Sequence, residues 1–364
     1  MNQMNVNIGG KADHSYEIYI GEEILDRVGM ILARDGRSQR YVIVTDTRID
    51  ALHGERVQAA LEKMDLRVDR ITVPPGEEAK GIETVLAVTE RLTALGADRQ
   101  TVLIALGGGV VGDLTGFAAS IYLRGIPVIQ LPTTLLAQVD SSIGGKTGVD
   151  TAAGKNLLGT FNQPKGVFID IAFLRTLPDE MFKSGLAEVI KYGIIESPGL
   201  LDDLEGAVAS GGLRETAFLE RIIAAACRIK KEIVELDERD RGLRRILNFG
   251  HTVGHAVEAA SGYALSHGES VAIGMVAAAR LSERLHGLPA GDAARISAVI
   301  RSVGLPDRIP AEMDLEEILS RLSLDKKKEG GTIHFVMIRK LGTPFVNGGI
   351  PEEVLRDTLK GLKP

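Results

Sequence analysis

The runs YVIVTD (41–46), TVLIALGGG (101–109), IPVIQLP (126–132) and GVFIDI (166–171) decide how this chain folds. Each is short, apolar and rich in branched side chains, the texture of a strand buried on both faces. Stretches of helical period lie between them, clearest over 82–95, so strand and helix alternate from 41 to 171. That alternation predicts an α/β domain, a mostly parallel sheet covered by helices. Its strands would end at Asp46, Gly107, Pro132 and Asp170 along one edge, where open α/β sheets place their ligands.

Beyond residue 177 the texture changes. Pro178 followed by Asp179 and Glu180 is a helix start, and long helical segments run to about residue 322. One alternating run, TIHFVMI (332–338), reads as a strand of a small late hairpin. The expectation is therefore two domains, 1–177 as a nucleotide-binding α/β domain and 178–364 as a mainly α-helical one, with a cleft between them. A chain of 364 residues is long enough for both cores.

Composition narrows the function. With 44% hydrophobic and 25% charged residues the chain is an ordinary globular one. A net charge of -6 without a basic tail argues against nucleic acid or an anionic membrane as a partner. The single cysteine, Cys227, cannot form an intrachain disulfide, residues 1–10 lack the regions of a signal peptide, and no apolar run is long enough to span a bilayer. The cytoplasm is the expected compartment.

Gly107, Gly109 and Gly112 satisfy G-x-G-x-x-G directly after a strand-like run, where bare backbone can approach a pyrophosphate. The usual acidic residue about 20 positions later is missing; Asp113 follows immediately, and Asp46 is the candidate for ribose hydroxyls. A purely steric turn fits this pattern equally well. In LNFGHTVGHAVEA (247–259), a helix from about Phe249 would place Asn248, His251, His255 and Glu258 near one face. Histidines spaced i, i+4 can hold one divalent metal. His267, just before a helix over 269–285, could complete the set, and Glu188 on SGLAEVIKYG (184–193) is a possible oxygen ligand. On spacing alone, however, Glu188 and Lys191 read as a surface i, i+3 pair. Lys146, Lys155, Lys191, Lys230, Arg244 and Lys326 would suit an anionic substrate if they converged.

Taken in order, GGGVVGDLTGFAAS (107–120), LPTTLLAQVDSSIGGKTGVD (131–150), GKNLLGTF (154–161), SGLAEVIKYG, LNFGHTVGHAVEA and SHGESVAIGM (266–275) resemble the signature segments of the 3-dehydroquinate synthase family. The resemblance covers about 41–328. It implies an NAD-binding α/β domain, a helical domain carrying zinc, with cobalt as a substitute, and a homodimer. The metal ligands it implies are Glu188, His251 and His267, which turns His255 into an acid–base residue facing the substrate. Three protein ligands leave the open position expected of a catalytic zinc.

For NAD the resemblance implies Asp46, Glu77 and Lys80 in PGEEAK (75–80), then Gly109, Val110, Val111, Gly112 and Asp113. Thr133, Thr134, Lys155, Phe173, Leu174, Arg175 and Thr176 complete that group, and Lys146 borders it. Pro75 stands where members often carry Asp. For the substrate it implies Asp140, Lys146, Asn156, Lys191, Lys230, Arg244, Asn248, His255 and Lys326, with Arg124 reaching a neighbouring copy. The reaction implied converts a small phosphorylated sugar acid, 3-deoxy-D-arabino-heptulosonate 7-phosphate, into 3-dehydroquinate and phosphate. Oxidising C5 makes the adjacent proton acidic, phosphate leaves, the hydride returns, and ring opening and aldol closure follow. Two other enzyme readings stand beside it, a related sugar phosphate cyclase with another substrate and a metal-dependent alcohol dehydrogenase. A metal-binding or NAD-sensing protein without turnover is a third.

Overall fold

The computed structural model describes residues 1–9, 14–36, 38, 40–328 and 333–364, with the side chains of 324–328 outside that description. The chain divides into two compact units, Met1–Pro178 with Ala226–Arg239, and Asp179–Ala225 with Asp240–Pro364. The second half of helix Thr216–Leu236 thus belongs with the first unit.

The first unit is built on a seven-stranded sheet. Its strands are β1 (Asn2–Val6), β2 (Tyr16–Gly21), β3 (Arg40–Asp46), β4 (Arg67–Val73), β5 (Val102–Gly107), β6 (Val128–Pro132) and β9 (Val167–Asp170). β7 (Lys146–Thr151) and β8 (Gly154–Phe161) form a separate antiparallel hairpin. The sheet order is β1-β2-β9-β6-β5-β3-β4, and every pairing but β1 with β2 is parallel. Side chains of β3 and β5 alternate between two cores, as the two-residue strand period requires. Tyr41, Ile43, Ile104 and Leu106 pack with Leu25, Val28, Leu32, Val57 and Leu61 on one face. Val42, Val44 and Leu103 pack with Val85, Val88, Leu92, Leu114 and Phe117 on the other. Each such side chain contributes ~1.5–3 kcal/mol by leaving water.

Sheet order reverses between β3 and β5. From β3 the chain steps outward to β4, whereas from β5 it steps the other way to β6 and β9. The carboxyl ends of those two central strands, Asp46 and Gly107, therefore flank the topological switch point at which such sheets bind ligands. Of the four predicted strand ends, Asp170 is used internally: it is fully buried and accepts hydrogen bonds from the backbone of Glu23 (2.8 Å), Ile24 (3.2 Å) and Ala172 (3.0 Å).

The second unit is mainly helical, with the antiparallel hairpin β10 (His334–Ile338) and β11 (Pro344–Gly348). Its central element is helix His267–His286, buried along most of its length. Two glycines on it allow neighbouring backbones to close in. A Cβ on Gly274 would lie 1.9 Å from the Gly250 carbonyl oxygen, and one on Gly268 would lie 2.3 Å from that of Ser184. Helices Asp179–Ile195 and His251–Ala260 are thereby brought against the start of the central helix.

Candidate functional site

Glu188, His251 and His267 meet in the second unit, their candidate ligand atoms all within 4.8 Å of one another. Glu188 lies in mid-helix on Asp179–Ile195, and the other two are the first residues of their helices. The expected continuous helix from Phe249 is interrupted. Gly250 is left-handed (φ 82°), and a Cβ there would strike Met275, so Asn248 ends a separate 3-10 turn (Leu243–Asn248) and the helix starts at His251. His267 is likewise inside its helix rather than before it. Ser266 caps that helix, accepting from the Glu269 N–H while the Glu269 carboxylate accepts from the Ser266 N–H, which fixes the backbone next to His267.

Both imidazoles are aimed by a second hydrogen bond. His251 Nδ1 donates to the Phe249 carbonyl (3.2 Å), leaving Nε2 facing Glu188 Oε1 at 3.4 Å. His267 Nδ1 donates to Glu258 Oε2 (3.2 Å), leaving Nε2 3.8 Å from Glu188 Oε1. Two Nε2 atoms thus point at one carboxylate, a set that can hold a cation once His267 gives up its proton. Glu188 is 1% exposed, with the Lys191 ammonium paired to Oε2 and the two imidazole Nε2 atoms facing Oε1. A tetrahedral zinc site spaces its ligand atoms ~3.4 Å apart, so the residues fit after side-chain shifts of about 1 Å. The surface Glu–Lys pair expected from spacing is instead buried, because helix Asp179–Ile195 is enclosed on all sides from Ser184 onward.

The charges follow from this burial. Burial would raise the Glu188 carboxyl, but the charges of Lys191 and His251 outweigh it and hold the group well below the usual range. Burial and the nearby Lys191 lower the His251 imidazole. Burial would lower His267 too, yet its hydrogen bonds and charge interactions with Glu188 and Glu258 push it up to about 9. His255 completes a cluster of three rings, 5.3 Å from His251 and 5.8 Å from His267 between centroids, with its side chain exposed. Arg244 is buried in the 3-10 turn, and Asn248 is exposed at its end. Lys326 lies on helix Leu315–Lys328, and its side chain falls outside the described residues.

In the first unit, the glycine turn opens helix Gly109–Ile121 at the switch point, with its amino end at the carboxyl end of β5. Part of the glycine pattern has a steric cause. A Cβ on Gly107 would come within 2.6 Å of Val111, and one on Gly112 within 2.9 Å of Gln130. Val111 is itself buried, and Val110 is partly so. Asp46 caps the turn after β3 by accepting from the N–H groups of Arg48 (2.9 Å) and Ile49 (3.0 Å). Thr134 accepts from Ala137 N–H (3.2 Å), and the Thr133 hydroxyl is buried without a hydrogen-bond partner among the described residues. Phe173 and Leu174 are in the core, so only their backbone could meet a ligand, while Arg175 turns to Glu22 and Glu23 and Thr176 bonds His53 (2.8 Å).

A polar knot around the buried Lys80 joins several of the remaining residues. Lys80 donates to Asn156 Oδ1 (2.7 Å) and pairs with Asp113 (2.7 Å), and the backbone of Asn156 donates to Asp150 (2.7 Å). Burial would lower the Lys80 ammonium, but Asp113 outweighs it and raises it. Lys155, on β8 beside Asn156, lies 3.6 Å from Glu77. Lys230 holds both the side chain and the carbonyl of Asp140, each at 2.7 Å. Lys146 and Arg124 are exposed, the latter at a positive φ of 70°. Sequence reading placed Glu258 near the histidines without a role. Its place seven residues after His251 and nine before His267 was the available signal, and only the fold shows which ring it meets.

Known proteins resemble this chain along most of its length. The family descriptions "3-dehydroquinate synthase N-terminal" and "3-dehydroquinate synthase C-terminal" match residues 70–184 and 185–328. The 3-dehydroquinate synthase of Caulobacter vibrioides is 44% identical over 95% of this chain and 96% of its own. Among solved structures, 2-deoxy-scyllo-inosose synthase complexed with carbaglucose-6-phosphate, NAD+ and Co2+ superposes with a TM-score of 0.89 at 27% identity, covering 99% of both chains. The 2-epi-5-epi-valiolone synthase of Streptomyces hygroscopicus, with NAD+ and Zn2+ bound, gives 0.88 at 30% identity over 95% of this chain and 96% of its own. With 44% identity to the Caulobacter enzyme over nearly the full length and both halves matched, this chain belongs to the 3-dehydroquinate synthase family.

Proposed function

We propose that this chain converts 3-deoxy-D-arabino-heptulosonate 7-phosphate into 3-dehydroquinate and phosphate, with bound NAD and one divalent metal, zinc or cobalt. The observation that carries this reading is the pair of imidazole Nε2 atoms aimed at the buried Glu188 carboxylate in a member of this family. Glu188, His251 and His267 would hold the metal. The amino end of helix Gly109–Ile121 offers unpaired N–H groups to a pyrophosphate, with Asp46, Glu77, Lys80, Thr133, Thr134 and Lys155 around the same sheet edge. When bound, the nicotinamide accepts and returns a hydride at C5, and the cation polarises the C5 oxygen.

The chain's own residues bind, orient and move protons. Lys191, fixed against Glu188, brings an ammonium beside the metal ligands. Lys230 is pinned by Asp140, which sets its direction toward a substrate hydroxyl. Arg244 is the guanidinium for the carboxylate, and Lys146 and Asn156 serve the phosphate. His255, exposed beside the two ligand histidines, can take or give a proton in ring opening.

The reading includes a cytoplasmic homodimer. Among the described residues no helix is long and apolar enough to cross a membrane, and Cys227 is buried as a thiol. Ile121 and Leu123 are exposed next to Arg124, and Leu157, Leu158 and Phe161 are exposed on the hairpin that packs on the same helix. A second copy would cover such apolar surface and bring Arg124 to its phosphate site. The test is incubation with the heptulosonate phosphate, following phosphate, NADH and product. Metal-dependent phosphate release without lasting NADH is expected. Stoichiometric NADH would indicate a dehydrogenase, and turnover of another sugar phosphate alone a different cyclase.

A further inference from the structure

The second unit holds a cavity of about 290 Å³ that none of this chemistry uses. One wall is the C-terminal half of helix His267–His286, through Arg280 and Arg284. Arg301, Asp307 and Arg308 come from the end of helix Ala290–Ser302 and the turn beyond it, and Asp357 from helix Glu352–Lys360. Arg280 lies 13 residues along its helix from His267, a separation of about 20 Å. The cavity is therefore distinct from the metal-ligand cluster.

Four guanidiniums face two carboxylates here and Glu283 pairs with Arg280 from outside the lining, which leaves a net positive charge in a chain that is acidic as a whole. Arg284 is fixed by Thr358 (3.0 Å) with Asp357 at 3.6 Å, and Arg301 is held by Asp307. Arg280 bonds Glu283 (3.1 Å), while Arg308 has no hydrogen-bond or ion-pair partner among the described residues. Like charges converging on one small space repel, and an oxyanion would relieve that repulsion. Phosphate carries the opposite charge, and its tetrahedral oxygens can accept from guanidiniums on several elements at once, where a planar carboxylate serves fewer. The volume is at the small end for ligand sites.

We propose that this cavity binds a phosphate dianion, free or as the head group of a small phosphomonoester, apart from the catalytic phosphate site. The test is calorimetric titration of the metal- and NAD-loaded chain with inorganic phosphate and, separately, glycerol 3-phosphate. The proteins are wild type, Lys146→Ala and the double variant Arg280→Gln with Arg308→Gln. Phosphate binding should survive in Lys146→Ala and weaken about tenfold or more in the arginine variant, whose turnover should match wild type. Tighter binding of glycerol 3-phosphate would identify a phosphomonoester ligand, and equal affinity free phosphate. Should the arginine variant unfold, hydrogen exchange in Lys146→Ala replaces it: added phosphate must slow exchange around 301–308. Unchanged affinity in a folded arginine variant, no phosphate binding in Lys146→Ala, or no slowing there would overturn the proposal.

Discussion

Replacing Glu258 isolates what the outer partner of a ligand histidine contributes. Its carboxylate is 3.2 Å from His267 Nδ1 with its side chain 8% exposed. It does two opposing things. It fixes the tautomer that leaves Nε2 as the ligand, and it helps hold the metal-free imidazolium up to about 9, so that near neutral pH a proton competes with the metal. Loss of such a partner costs a metal site about ten- to a hundredfold in affinity, or ~1.4–2.7 kcal/mol. A glutamine side chain retains an acceptor for Nδ1–H, so Glu258→Gln should fall at the mild end and Glu258→Leu, which strands a buried N–H, at the severe end. Lowering the His267 pKa also lifts proton competition, by up to about tenfold per unit at neutral pH. The deficit should accordingly be small near neutral pH and full above about pH 9.5, where wild type is also deprotonated. Zinc affinity measured against a chromophoric chelator at both pH values checks this. Wild-type affinity in Glu258→Leu at the higher pH would refute the reasoning.

Other outcomes follow from the same geometry. Because His267 is raised to about 9 and His251 is lowered, zinc binding between about pH 7 and 8 should release about one proton, from His267, measurable by calorimetry in buffers of different ionisation enthalpy. The raised pKa also stabilises the metal-free chain fully below the unfolded value of about 6.5, and that contribution, at most ~3 kcal/mol, is lost as pH rises through about 9. Chemical denaturation of the metal-free protein across that window should show the decline. Gly274→Ala places a methyl 1.9 Å from the Gly250 carbonyl and should cost ~2 kcal/mol or more, read as a lower denaturation midpoint. Lys80→Met strands the Asp113 carboxylate and should lower both stability and NAD affinity; adding Asp113→Asn should recover the melting temperature without the affinity.

The centre of the first unit was legible because β3, β5, β6 and β9 are buried on both faces. A central parallel strand such as β5, buried at every position, leaves a continuous apolar run that no solvent-facing residue interrupts. Its ligand edge was legible for the same reason, since strand ends are where apolar runs stop. What those ends do was not. Asp46 and Asp170 look alike in sequence, but one caps an exposed turn and the other is buried among three backbone N–H groups, a difference set by which loop folds back over each.

The metal cluster was hidden for a different reason. Periodicity reports only neighbours on one helix, so it favoured His251 with His255 and read Glu188 with Lys191 as surface charge. The three candidate ligands sit on three helices, and what joins them is backbone contact at glycines. Gly268 lets the helix carrying His267 touch the one carrying Glu188, and Gly274 lets it touch the Gly250 turn ahead of His251. A missing side chain has no period and no charge, so these contacts leave almost no trace in a single sequence. If the cluster depends on them as argued, a substitution at Gly274, remote from any ligand atom, should loosen zinc as well as the fold, because displacing Gly250 displaces His251 beside it. A Gly274→Ala protein that melts lower yet binds zinc with wild-type affinity would show that the helices can part without disturbing the site.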